Sequence, residues 1–219
     1  MLPVPQAAGN APPLDHGSLA AGDVRAPDRL DPDTALMVRF AEGDAAAFDL
    51  LVERHRASVA SHLHRLVRRR DIAEDLAQDV FIRVFRSGAK YRPNAKFTTW
   101  LFHITTNVGL NWRRDTRREA GHFSLQREFP NARKLELRDP TPRADELLVR
   151  RCLAKEIRDG IEALPPKQLA AVLLHKYEGM EYTEIAAVLG CSIQALKSLL
   201  FRAYETLRER LARFDAGSA

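Results

Sequence analysis

Apolar residues along most of this chain recur at intervals of three and four, which is the period of an α-helix. The pattern is clearest between Asp71 and Gly88, where Ile72, Leu76, Val80 and Val84 mark one buried face. Similar stripes lie before and after this stretch, over residues 44–70, 98–118 and 143–214. The sequence therefore predicts an all-α fold.

The helical period breaks down in two places, and these breaks divide the chain. Residues 1–33 hold six of the twelve prolines, and residues 119–142 combine scattered apolar side chains with three more. Proline-rich segments without a period favour disorder. The predicted organisation is a disordered tail (1–33), a helical domain (34–118), a flexible linker (119–142), a second helical domain (143–214) and a short tail (215–219). We expect few contacts across the linker and two domains that move independently.

Residues that can cap a helix N-terminus precede each predicted helix of the first domain. They are Asp33, Asp44, Asp71 and Thr98. Glu74 stands three residues after Asp71, which is the spacing of a capping box. The face of this third helix that lies opposite its apolar stripe carries Asp75, Gln78, Asp79 and Ile82.

The second half of the first domain is strongly basic and rich in aromatic residues. Residues 83–118 contain nine Lys or Arg and a single acidic residue, Asp115, for a local net charge of +8. Cations that hold phosphates and flat rings on which bases stack are what single-stranded nucleic acid requires. A helical core with a solvated basic rim is the alternative interpretation. The interleaved aromatic residues are Phe85, Tyr91, Phe97, Trp100, Phe102 and Trp112.

The second domain ends in a pattern that is typical of a helix-turn-helix motif. Thr183 can cap a short helix, Gly190 lies in a tight turn, and Ser192 can cap a longer helix that reaches about Phe214. Ile193, Leu196, Leu200 and Leu207 are expected to face inward. The residues expected to face outward are Gln194, Lys197, Ser198, Phe201 and Arg202.

Two groups of motifs resemble the sigma-70 family of bacterial RNA polymerase sigma factors, most closely its small extracytoplasmic-function (ECF) group. The first group is D-x-x-E-D-L-x-Q-D-x-F from Asp71, followed by F-x-T-W-L-x-x-I-x-x-N from Phe97, and it resembles sigma region 2. The second is L-P-P-K-Q from Leu164, followed by Y-x-E-I-A from Tyr182, and it resembles region 4. The likeness covers about residues 34–119 and 143–214.

The resemblance implies a function, partners and site residues. A sigma factor binds core RNA polymerase and directs promoter-specific initiation, commonly under the control of an anti-sigma factor. The implied contacts with core polymerase are Asp75, Gln78, Asp79 and Ile82. The implied contacts with the promoter −10 element are Tyr91, Arg92, Asn94, Lys96, Phe97, Asn107, Asn111 and Arg114. The implied contacts with the −35 element are Gln194, Lys197, Ser198, Phe201 and Arg202.

The start of the second helix of the motif departs from the family pattern. Gln194-Ala195-Leu196 and Leu199 stand where small-group sigma factors often have a Gly-Thr-Val-type start and a second arginine. The sequence preference at the −35 element is therefore left open.

Composition agrees with an anionic partner. The net charge is +5 and the sequence pI is about 9.5, and no apolar run approaches the roughly 20 residues of a membrane helix. We expect a cytoplasmic protein with no cofactor, no metal and no catalytic residue, in which Cys152 and Cys191 are small apolar side chains.

Two other functions are alternatives to that of a sigma factor. A free-standing helix-turn-helix regulator would use only the second domain and would leave the acidic helix of the first without a role. A histidine-based metallohydrolase would rest on His62 and His64, whose i, i+2 spacing places them on different faces of a helix.

Overall fold

The computed structural model describes residues 31–88, 91–122 and 144–217, and the regular elements within these ranges are all α-helices. The prediction of an all-α fold is confirmed. The predicted tail up to residue 30 and most of the predicted linker lie outside the described residues. The helices are α1 (Pro32–Ala41), α2 (Ala45–Val67), α3 (Arg70–Ser87), α4 (Phe97–His122), α5 (Ala144–Ala163), α6 (Pro166–Lys176), α7 (Tyr182–Leu189) and α8 (Ile193–Gly217).

The first helix begins two residues earlier than predicted, and its cap is Asp31 instead of Asp33. The Asp31 carboxylate accepts hydrogen bonds from the amides of Asp33 and Thr34, at 3.1 and 3.2 Å. Proline at the first helical position needs no hydrogen-bond partner and favours this start. Asp33 instead reaches across to α2, where its carboxylate lies 2.8 Å from His55 Nε2.

The predicted cap of α2 is confirmed, but the capping box predicted for α3 is wrong. Asp44 accepts the amide of Ala47 at 3.3 Å. Helix α3 begins at Arg70, so Asp71 lies inside its first turn and pairs with Arg69. Glu74 pairs with Arg70 at 3.0 Å.

The start of α4 depends on another helix. Thr98 does not cap it, because the helix already begins at Phe97. The amide of Phe97 donates to Thr34 Oγ1 of α1 at 3.0 Å, in a buried position. A helix N-terminus leaves amides without partners inside the helix, and here a side chain from 63 residues earlier supplies one.

Helices α1–α4 form a first bundle around α2, which contacts the other three. The buried face of α3 is centred on Ala73, Ala77, Val80 and Val84, whereas Ile72 and Leu76 lie at its edge. Further buried core residues of this bundle are Met37, Leu51, Val59, Leu63, Phe97, Leu101, Ile104 and Val108.

Helices α5–α8 form a second bundle, which ends in the predicted helix-turn-helix. The cap of α7 is Glu181, in a capping box with Glu184, and the expected cap Thr183 lies in the first turn of the helix. Gly190 ends α7 with a φ of +59°, and Ser192 accepts the amide of Ala195 at 3.1 Å as predicted. The axes of α7 and α8 meet at 96°, within the range of helix-turn-helix motifs.

No single helix in the described part of the chain is long and apolar enough to cross a membrane. The bent pair α7 and α8 passes that test together, by length and composition only.

The two bundles pack against each other, which contradicts the expectation of few contacts between them. Helix α4 contacts α6 and α7, and α2 contacts α6. Leu66 of α2 and Phe102 of α4 belong to the same buried cluster as Leu169, Leu173 and other core residues of the second bundle. Periodicity alone does not distinguish these two side chains from core residues of the first bundle, because both lie on apolar helix faces.

Gly109 allows α2 and α4 to approach closely. A Cβ atom at this position would lie 2.5 Å from Leu66 Cδ2 and 3.2 Å from Leu63 Cδ2, well inside van der Waals contact. We expect Gly109→Ala to lower the free energy of unfolding by about 1–3 kcal/mol through overpacking, despite the higher helix propensity of alanine. Urea denaturation followed by circular dichroism measures this change.

Truncation of the clashing side chain provides the control. In a double-mutant cycle, Gly109→Ala combined with Leu66→Ala should cost less than the sum of the two single substitutions. Additive costs, or a Gly109→Ala variant as stable as the parent chain, would contradict the close approach.

Candidate nucleic-acid and polymerase interface

The acidic face predicted on α3 is accessible. Asp75, Gln78 and Ile82 are exposed, and Ile82 leaves 48% of its surface in solvent. Asp79 is half-buried and pairs with Arg83 one turn later, at 2.9 Å. An apolar side chain among acceptor groups, on a face that no described residue covers, is suited to a protein partner with a basic surface.

The predicted polar stripe lies along the outer side of α4. Asn107, Asn111, Arg114 and Arg118 are exposed, and His103 is half-buried. On the opposite side, Leu101, Ile104 and Val108 enter the core as the period predicts. The stripe therefore presents two amides followed by two guanidinium groups along about three turns of one helix.

Asn107 is oriented by a neighbour one turn earlier. Its Nδ2 lies 3.1 Å from Nε2 of His103, and an amide nitrogen can only donate, so the imidazole nitrogen accepts. Burial lowers the pKa of His103 from its ordinary value of 6.5, which keeps the ring neutral at pH 7. Oδ1 and the second N–H of Asn107 have no partner in the described part of the protein, so both remain available to a ligand.

The polar residues of the loop before α4 are exposed. They are Arg92, Asn94 and Lys96. Arg92 donates to the carbonyl of Tyr91 at 3.1 Å. Lys96 Nζ lies 2.9 Å from Oε1 of Glu184 in α7, and this hydrogen bond is the main cause of a raised Lys96 pKa.

The aromatic residues of the same region do not form the exposed stacking surface that the sequence suggested. Tyr91 is 5% exposed and Phe97 is fully buried, and both rings pack edgewise or tilted against Trp100. The prediction of these two rings as contacts for bases is wrong in this arrangement, because both belong to the core. Of the six aromatic residues in the basic stretch, Phe85 alone is exposed.

All five predicted contacts of the recognition helix α8 are exposed. They are Gln194, Lys197, Ser198, Phe201 and Arg202. Phe201 leaves 66% of its surface in solvent, and Leu196 and Leu200 are buried beneath it. Ile193 is 42% exposed at the start of the helix, which corrects the prediction that it faces inward.

Two of the three histidines on α2 make side-chain contacts within the protein. His55 lies against Asp33, and His62 lies 3.3 Å from Thr106 Oγ1 and 3.4 Å from Glu178 Oε1. Among the described residues, no three His, Cys, Asp or Glu side chains are grouped as a metal site requires. The side chain of Cys152 lies outside the described residues, and Cys191 is a half-buried free thiol.

No pattern in the sequence indicates the polar contacts between the bundles. Glu178 accepts a hydrogen bond from Ser58 Oγ at 3.0 Å, and the guanidinium of Arg65 lies 4.2 Å from the centre of the Tyr177 ring. Helical periodicity does not indicate that these residues meet, since only the packing of α2 on the α6–α7 turn brings them together.

Comparison with known proteins gives matches in both bundles. Residues 51–119 match the family model of Sigma-70 region 2, and residues 154–207 match that of Sigma-70, region 4. Together the matches span more than half of the chain and include both the exposed acidic face of α3 and the five exposed residues predicted as contacts on α8.

Named relatives match over most of their length. The chain is 34% identical over 192 residues to the ECF RNA polymerase sigma factor SigE of Mycolicibacterium smegmatis, covering 86% of this chain and 72% of that protein. It is 34% identical over 181 residues to the ECF RNA polymerase sigma-E factor of Haemophilus influenzae, covering 82% and 95%.

Solved structures share the fold. CnrH in complex with the cytosolic domain of CnrY matches with a TM-score of 0.59 at 24% identity, covering 84% of this chain and 99% of that one. The sigma factor RpoE in complex with the anti-sigma factor NepR, from Bartonella quintana, matches with a TM-score of 0.60 at 22% identity, covering 75% and 96%.

The lowered pKa of the half-buried His103 ring predicts a pH effect. In the unfolded chain the His103 ring takes up a proton near pH 6.5, whereas in the folded chain the same ring does so only at lower pH. The contribution of this residue to stability is therefore complete above about pH 6.5 and decreases as the pH falls towards the lowered folded pKa. A protonated Nε2 would also face the Asn107 donor and break their hydrogen bond.

His103→Gln is the matched control, since glutamine keeps an acceptor but does not titrate. We expect the parent chain to lose stability faster than this variant between pH 6.5 and 5, in denaturation experiments at each pH. A folded-state pKa at or above 6.5 for the His103 ring, measured by NMR titration, would contradict the assignment.

Proposed function

The chain belongs to the ECF group of the sigma-70 family of RNA polymerase sigma factors, and we propose that its two bundles divide promoter recognition between them. The first bundle corresponds to region 2 and binds core polymerase and the −10 element. The second corresponds to region 4 and binds the −35 element. The exposed stripe on α4, with the Asn107 amide held ready by His103, is the observation that supports this division best.

Core polymerase docks on the outer face of α3 in this proposal. Asp75, Gln78 and Asp79 offer acceptor groups, and Ile82 supplies an apolar contact at the end of the face. Charge complementarity with a basic partner surface speeds association and selects the partner. The apolar contact contributes affinity that salt does not screen.

The −10 element is read as a single strand along α4 and the loop before it. Asn107 and Asn111 present amides that match the donor and acceptor pattern of a base edge. Arg92, Lys96 and Arg114 supply cations for the neighbouring phosphates, and Asn94 lies beside them in the loop. Tyr91 and Phe97 support the loop from the core and do not contact bases. Bases stack instead on exposed groups, which include the planar guanidinium groups of arginine.

The −35 element is read in the duplex major groove by α8. Arg202 is the base-reading candidate, because a guanidinium can bond both acceptor atoms of guanine. Gln194, Lys197 and Ser198 lie on the same accessible side near the helix N-terminus, and Phe201 offers an apolar contact. A helix-turn-helix enters the groove by this end of its second helix.

Membership of the family supports three further parts of the proposal. The chain acts in the cytoplasm as an initiation factor and supplies no catalytic group, since nucleotidyl transfer belongs to polymerase. An anti-sigma factor restrains it, as the complexes of its structural neighbours suggest. A free-standing regulator is excluded by the region 2 match, which assigns the first bundle a place in the same family.

The role of Asn107 can be tested directly. Asn107→Ala removes an amide that we propose reads an extruded −10 base, and a lost pair of hydrogen bonds to a base reduces discrimination by about 1–3 kcal/mol. We expect weaker opening of the cognate promoter and a relaxed base preference at one −10 position. Permanganate footprinting and transcription on templates carrying each base at each −10 position measure both effects.

A second variant separates base reading from polymerase docking. Gln78→Lys combined with Asp79→Lys should weaken binding to core polymerase, whereas Asn107→Ala should bind core as the parent chain does. Wild-type melting and an unchanged base preference in Asn107→Ala would exclude this residue from the reading site.

Arg202 and Lys197 should differ in the kind of loss that they cause. Arg202→Ala should change the preferred −35 sequence, with a loss of about 1–3 kcal/mol at one position. Lys197→Ala should weaken binding to all sequences alike and reduce the salt dependence of affinity, as loss of a phosphate contact does. Binding of the holoenzyme to a −35 sequence library at two salt concentrations measures both, and a uniform loss in both variants would contradict base reading by α8.

A further inference from the structure

The turn between α6 and α7 docks on one face of α2. Gly179 has a φ of +63° and lets the chain turn sharply after α6. The two residues before it, Tyr177 and Glu178, reach α2 at Ser58, His62 and Arg65. These three positions are four and three residues apart, so they lie on the same side of the helix.

Glu178 is the centre of this contact. Its side chain is only 10% exposed, and it accepts a hydrogen bond from Ser58 Oγ at 3.0 Å. Its other oxygen lies 3.4 Å from Nδ1 of His62, a fully buried ring whose Nδ1 makes no hydrogen bond among the described residues. Moving a carboxylate out of water costs free energy. The Glu178 side chain is therefore stable in this position only while Ser58 and His62 face it.

Tyr177 adds a second contact to the same face. The Arg65 guanidinium lies 4.2 Å from the centre of its ring, within the range of a cation–π interaction. We call Ser58, His62, Arg65, Tyr177 and Glu178 the latch. Beside the latch, Leu66 and Phe102 bury apolar surface against the second bundle.

The same closed arrangement also engages a residue of the proposed −10 site. Glu184 of α7 places one carboxylate oxygen 2.9 Å from Lys96 Nζ, and its other oxygen accepts the Glu181 amide of the capping box at 3.0 Å. Lys96 cannot give its full charge to a DNA phosphate while this pair is formed. The helix-turn-helix bundle therefore carries an acidic group that competes with DNA for the first bundle.

We propose that the second bundle is an intramolecular inhibitor of the first. The latch and the Glu184–Lys96 pair hold the free protein closed, and both must separate before the −10 strand is bound. The proposal rests on the assignment of the −10 site to Lys96 and α4. The interface combines the apolar contacts of Leu66 and Phe102 with these polar contacts, so polymerase and DNA must replace both kinds to open it.

Charge changes in the latch test closure in the free full-length chain. Glu178→Lys removes the acceptor, and Ser58→Asp places a second carboxylate opposite Glu178. Each should open the chain, and the double variant, in which a carboxylate at position 58 faces an ammonium group at position 178, should close it again. Glu53→Lys is the control, because Glu53 is an exposed carboxylate on the same helix outside the latch.

Two measurements report closure without polymerase or DNA. A carbodiimide should join Lys96 to Glu184 in the parent chain and the control, and mass spectrometry should find the joined peptides reduced by roughly half or more in each single variant. Small-angle X-ray scattering should show a larger radius of gyration in the same variants, and circular dichroism should show unchanged helicity. Parent-like cross-linking and scattering in both single variants would overturn the latch.

A third measurement tests inhibition. If the closed form dominates, the apparent affinity for the −10 strand rises as the open fraction rises, so Glu178→Lys should bind a −10 single-stranded oligonucleotide several-fold more tightly than the parent chain. Variants that open without this gain would overturn the inhibitory role. Failure of the sigma-factor proposal would appear differently, as a parent chain that directs no transcription with core polymerase whatever its state of closure.

Discussion

The burial of α2 on several sides is the constraint on which the rest of the structure depends. It contacts α1, α3 and α4 within the first bundle and α6 in the second. The polar groups on the buried face of this helix cannot reach water, so each of them needs a protein partner. His55 contacts Asp33, and His62 contacts Thr106 and Glu178.

This constraint explains which features the sequence predicted correctly. Leu51, Val59 and Leu63 repeat at helical intervals and are fully buried, because periodicity reports the burial of a face directly. The exposed polar stripe of α4 followed from the same period. The turn at Gly190 and the cap at Ser192 were also predictable, since both depend on local backbone chemistry.

The features that the sequence did not predict depend on contacts between distant residues. Thr98 looked like a cap for α4, but Thr34 supplies the hydrogen bond from another helix. Tyr91 and Phe97 stand among cations and so resembled a stacking surface, although both are buried. Their composition could not distinguish a ring that contacts a base from a ring that supports the loop from behind.

The hydrogen bond from the Phe97 amide to Thr34 has a practical consequence for work with shortened forms of the chain. The Asp31 carboxylate in turn positions Thr34, because it accepts hydrogen bonds from the hydroxyl and the amide of Thr34. The N-terminus of α4, the helix that carries Asn107, is thus stabilised by residues near the beginning of α1. A clone trimmed to the family match at residue 51 would lack this support and α1 altogether. The boundary of a minimal fragment that keeps this support therefore lies at or before Asp31, well outside the segment that family similarity marks.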